Sequence, residues 1–134
     1  MSKSNDYATF LSLLKEMKPL MIAYLDSDGV DTPTLTNITS IVVGISFNLI
    51  QLEKYHGEKF PGFTPKIFYF MDYVWNNISS DSEDSDYYDD SEPRVTDVHF
   101  LDIEEVKRQM KEIYDLIDPI LSDKRLKKLA RKNN

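Results

Sequence analysis

The chain has 134 residues, 41% of them hydrophobic, which suits one compact domain around one core. It contains no cysteine, so disulfides, thiolate-held zinc and thiol redox chemistry are excluded. The net charge of −7 is asymmetric: all 23 acidic residues and 10 of the 16 basic ones precede position 124, leaving −13 there and +6 on the last eleven residues. An acidic body repels nucleic-acid phosphates.

The first residues, Met-Ser-Lys-Ser-Asn-Asp, lack the basic-then-apolar layout of a signal peptide, and the expectation is an intracellular, cytoplasmic protein. Residues 5–25 read as a helix, because Tyr7, Phe10, Leu14, Met17, Met21 and Tyr24 recur at a spacing of three or four. Pro19 interrupts this stripe, and the expected result is a kinked helix, or two abutting ones, with the apolar face retained. A turn over Asp26–Thr32 follows, with Thr32 as N-cap and Pro33 at the first helical position. A second helix, 33–55, carries Ile38, Ile41, Val42, Ile45, Leu49 and Leu52 on one side and Val43, Phe47 and Ile50 on another. Such a circumference suits the centre of a domain. The β-branched content leaves strand open for 38–47. Thr36, Asn37, Thr39, Ser40, Ser46 and Asn48 interrupt this apolar stretch, so no membrane span is expected. His56-Gly57 supplies the stop.

Thr64 should cap the third helix, with Phe63 stapled to Phe68. Its segment "KIFYFMDYVW" holds five aromatics, Phe68, Tyr69, Phe70, Tyr73 and Trp75, which cannot all face one core. Residues 79–97 break all periodicity, and seven acids fall between Asp81 and Glu92 without one base. That composition predicts a disordered acidic loop. Ser80, with Glu83 three residues on, fits an acidophilic-kinase pattern. Helix resumes with Asp102 as cap, Glu105 completing a capping box and Leu101 stapled to Val106. Ile103, Val106, Met110, Ile113 and Ile117 form its inner face. Asp118-Pro119 marks a break before a last helix, 119–131, which leads into the basic tail, 124–134.

The pentad Asp26-Ser27-Asp28-Gly29-Val30, after the apolar run Leu20–Leu25, resembles motif I of the haloacid-dehalogenase-like phosphatases. The resemblance implies Asp26 as nucleophile and Asp28 as acid/base, with Ser46, Lys54 or Lys59, and Asp89-Asp90 offered as the later motifs. The spacing speaks for a polar turn instead. Asp26 and Ser46 are too close for the strand–helix units of a doubly wound sheet, and a helical stripe precedes Asp26. The same turn offers Asp26, Asp28 and Asp31 to calcium, but glycine is fourth and the twelfth residue is Asn37, against glycine sixth and glutamate twelfth in an EF-hand. Glu53-x-x-His56 has the spacing of a di-iron half-site. It occurs once, with His99 elsewhere, and reads as a surface pair near a helix end.

The resulting expectation is an all-α, single-domain bundle of about five helices, with a central apolar helix and a long acidic loop. No cofactor or metal is implied. The expected function is a non-catalytic protein-binding adaptor or inhibitor. Its partner-binding residues would be Tyr69, Tyr73, Trp75, Asp84, Asp86, Tyr87, Tyr88, Asp89 and Asp90, facing another protein with a basic surface. By analogy, small accessory proteins of viruses or mobile elements share this make-up. The alternatives are an acidic nucleic-acid mimic, a phosphatase using Asp26, and nucleic-acid or anionic-membrane binding through Lys124, Arg125, Lys127, Lys128, Arg131 and Lys132.

Overall fold

The computed structural model describes residues 3–28, 31–77 and 101–131, which form five helices and, among the described residues, no strand. They are α1 (Lys3–Leu25), α2 (Thr32–His56), α3 (Thr64–Asn77), α4 (Ile103–Leu121) and α5 (Lys124–Arg131). The fold is the all-α bundle that periodicity predicts, and 38–47 is helical throughout. The acidic segment 79–97 lies outside the described residues.

The stripe of α1 organises the core. Tyr7, Phe10, Leu14, Met17, Met21 and Tyr24 are each no more than 1% exposed, and α1 packs against α2, α4 and α5. Pro19 is tolerated inside this single helix, on its exposed side. The loss of one backbone hydrogen bond and a local clash cost about 3 kcal/mol. Burial of each stripe residue contributes roughly 1.5–3 kcal/mol. At the far end, Lys107 of α4 donates to the carbonyls of Leu25 and Ser27, placing a cation at the negative pole of α1.

In α2, Leu35, Ile38, Val42, Ile45, Leu49 and Leu52 enter the core, and the helix packs on α1 and α3. Its two buried hydroxyls are satisfied internally: Thr39 donates to the Leu35 carbonyl (2.8 Å) and Ser46 to that of Val43 (2.6 Å). The N-cap is Asp31, one residue before the expected Thr32. Its carboxylate accepts from the Thr34 amide (3.1 Å) and hydroxyl (2.7 Å), which hold the carboxyl below the usual carboxylate range. With Asp31 as cap, Pro33 falls at the second helical position and not the first, where its missing amide breaks no helical bond, and the carboxylate reaches the amide that follows, that of Thr34. Gly57 ends the helix at φ 68°, its amide donating to the Glu53 carbonyl. By length and mean hydropathy, 1.5 over its most apolar window, α2 could cross a membrane, despite the interruptions in its sequence; 44% of that window is buried in the bundle.

At three further boundaries the contacts differ from expectation. Phe63 is buried edge-on against Phe10, with ring centroids 6.2 Å apart, and its carbonyl accepts the Ile67 amide, so the first turn of α3 is anchored on α1. Asp102 does cap α4, accepting from the amides of Glu104 and Glu105. Glu105, however, is drawn to Arg108 and Gln109, and the Asp102 amide donates instead to the Tyr73 hydroxyl at 3.3 Å. Finally, α4 continues through Pro119 to Leu121. The break falls at Ser122–Asp123, where the Asp123 carboxylate caps α5 through the amides of Arg125 (2.9 Å) and Leu126 (3.3 Å).

Gly44 within α2 and Gly57 just beyond its end make opposite predictions. A Cβ on Gly44 would meet Leu13 at 3.4 Å, an ordinary contact, so Gly44→Ala should raise stability by about 0.5–1 kcal/mol through helix propensity. Gly57→Ala should lower it by about 1 kcal/mol, since its backbone is left-handed. Urea unfolding of the two variants checks both signs.

Candidate functional site

Two groups of polar side chains lie at the ends of α1, and the exposed aromatics among the described residues lie on α2 and α3. At the first end, the start of α1 meets the end of α2. His56 Nε2 lies 2.7 Å from Asp6 Oδ2, and both side chains are about nine-tenths buried. One step along α1, the Tyr7 hydroxyl donates to Glu58 Oε1 (2.8 Å). Arg125 of α5 then grips both Glu58 oxygens at 2.8 and 2.7 Å. The bidentate geometry fixes how α5 sits against the loop after α2. Burial, and then the bond to Glu58, push the Tyr7 phenol up to about 12.

Asp6, Gln51, Tyr55 and His56 line an open cavity of about 490 Å3. A carboxylate-backed imidazole can hold or move a proton there. His56 is thus not the surface partner that the Glu53-x-x-His56 spacing suggested. Its partner comes from α1, and Glu53 is exposed. Among the described residues no group of three or more His, Asp or Glu side chains is arranged to hold a metal.

At the opposite end, Asp26 sits at the carboxyl end of a helix, its amide donating to the Ile22 carbonyl at 3.0 Å. Leu20–Leu25 is helical, so no strand delivers Asp26 as the phosphatase resemblance requires, and Ser46 is a buried helical residue. Asp28 and Asp31 instead act on Tyr24: burial first, then these two charges, push its phenol up to about 12. Lys107 anchors the start of this turn through the carbonyls of Leu25 and Ser27.

The sequence-predicted partner residues fall into three groups. Tyr69 and Trp75 are 59% and 43% exposed and project from different sides of α3. Tyr73 is half-buried against the core, and its hydroxyl supports the start of α4. Asp84, Asp86, Tyr87, Tyr88, Asp89 and Asp90 lie outside the described residues. Three aromatic or aliphatic side chains of α2 that were not among the predicted residues are also exposed: Phe47 (63%), Ile50 (50%) and Tyr55 (62%). In the basic tail, Leu126 is buried and Leu129 half-buried, which leaves cations, not leucines, on the outer side of α5. Lys124, Lys127 and Lys128 are exposed there.

No family model matches this chain, and comparison with curated proteins and with solved structures returned no match.

The two buried tyrosines predict an alkaline response. Free phenols titrate near 10, and these two at about 12 in the folded chain. Above pH 10 the unfolded chain sheds protons that the folded chain keeps. Stability is therefore intact below pH 10 and falls as pH rises toward 12, by about 1.4 kcal/mol per pH unit for each phenol. Urea unfolding between these limits should show that slope, and the double variant Tyr7→Phe, Tyr24→Phe should lose most of it.

Proposed function

We propose that the chain is a non-catalytic protein-binding adaptor or inhibitor, acting by occupying a surface of another protein. The observation that supports this reading is the pair of large aromatics that α3 leaves outside the core, Tyr69 and Trp75. Such side chains offer wide apolar contact with little rotamer freedom to lose, and they dominate binding energy where a partner desolvates them. In sequence, α3 leads directly toward Asp84, Asp86, Tyr87, Tyr88, Asp89 and Asp90. Aromatic anchors followed by closely spaced carboxylates suit a partner with an apolar cleft rimmed by Lys or Arg. Trp75, the ring nearer in sequence to those carboxylates, fills the cleft, Tyr69 packs beside it, and the carboxylates meet the rim and speed encounter. If the rim normally holds nucleic acid, the chain acts as its mimic.

The test is co-purification of the full chain with a stoichiometric protein partner. The double variant Tyr69→Ser, Trp75→Ser should weaken that complex by at least about tenfold while leaving the circular dichroism spectrum unchanged. Neutralising Asp86, Asp89 and Asp90 should slow association and flatten its salt dependence. A complex indifferent to both sets of changes contradicts the proposal.

A further inference from the structure

We propose that α2 is also a self-association surface, on which the same face of a second copy packs antiparallel. This is independent of the α3 surface, because it rests on a different helix, one whose inner face is fully used and which still exposes Phe47 and Ile50 on another side. Phe47 and Ile50 are exposed, and Val43 beside them is half-buried.

These residues belong to one row of exposed and half-buried side chains on α2. Thr36, Ser40, Val43, Phe47, Ile50 and Lys54 follow one another in steps of four, three, four, three and four. This is the alternation of a coiled-coil seam, and it falls along one side of α2, away from Leu35, Ile38, Val42, Ile45, Leu49 and Leu52. From Thr36 to Lys54 the seam is about 27 Å long at 1.5 Å per residue.

Its composition selects both the occupant and the direction. The seam tapers, small toward the start of α2 (Thr36, Ser40) and bulky toward its end (Phe47, Ile50). An antiparallel second copy is complementary to it, since Val43 then faces Phe47 of the other chain, Ser40 faces Ile50 and Thr36 faces Lys54. Bulk meets space in each layer. Charge agrees. The start of α2 is acidic, with Asp28 and Asp31, and Lys54 of the second copy is brought toward it. Antiparallel helix dipoles add a smaller favourable contribution. Parallel pairing does the reverse: it stacks Phe47 on Phe47, leaves the Ser40 layer underfilled and opposes Lys54 to Lys54.

Sedimentation of the full chain over a concentration series tests the dimer. The mass should rise from 15.6 kDa toward twice that value as concentration increases. Phe47→Ser should raise the dissociation constant at least about tenfold, with helicity unchanged because Phe47 lies outside the core. Direction is read with cysteines, which the natural chain lacks. A mixture of Ser40→Cys and Ile50→Cys chains should cross-link under oxidation far more than either chain alone. A chain that stays monomeric into the millimolar range overturns the proposal, and so does self-cross-linking of Ser40→Cys alone. A monomer that floats with phosphatidylcholine vesicles, and ceases to do so in Phe47→Ser, assigns the face to a bilayer and overturns it equally.

Discussion

The burial of one side of α1 is the interaction on which the remaining structure depends. Six large side chains at helical spacing are removed from water along a single rod, and α2, α4 and α5 all lean on that rod. The hydrophobic contribution of such a stripe exceeds the cost of a proline within the helix that carries it. It also fixes where both ends of α1 lie. The polar groups at those ends then have defined neighbours: His56 for Asp6, Glu58 for Tyr7, and Lys107 for the last carbonyls.

That arrangement gives several chemically suggestive residues mechanical work. Asp31, Asp102 and Asp123 each cap a helix. Arg125, in a bidentate contact, ties α5 to the loop after α2 through Glu58. Across the bundle, Lys66 of α3 pairs with Glu112 of α4 at 2.9 Å, and Lys18 of α1 pairs with Asp118. These exposed pairs set orientation more than stability. The exposed rings of Phe47, Tyr69 and Trp75, in contrast, lie outside the core, and the functional proposals rest on them.

Much of the fold was legible in the sequence because amphipathic period and core position are the same fact viewed twice. The stripe of α1 was readable residue by residue, and most of the inner faces of α2 and α4 as well, although Ile41 and Ile103 are only half-buried and Leu35 and Gln109 joined the core unannounced. Helix ends were less so. Pro119 looked like a stop, yet a proline near a helix C-terminus removes one bond, and α4 runs on to Leu121. Glu105 looked like half of a capping box, but Arg108 sits one turn away and draws it off, a competition that spacing alone does not resolve. The Asp6–His56 and Tyr7–Glu58–Arg125 contacts join residues far apart in sequence and left no local signal. For α2, apolar residues around the circumference identified a helix, but periodicity could not say which apolar side would be covered. The partner residues from Asp84 to Asp90 fall outside the described residues.

Hydrogen exchange of the full chain, resolved by residue, tests the central claim most directly. If α1 is the rod on which the bundle rests, amides from Phe10 to Met17 and from Met21 to Tyr24 should open only with the whole molecule. Their exchange free energy should then equal that of urea unfolding. Rapid exchange of α1 while α2 and α4 remain protected would contradict the account, because the bundle would then stand without the stripe said to hold it.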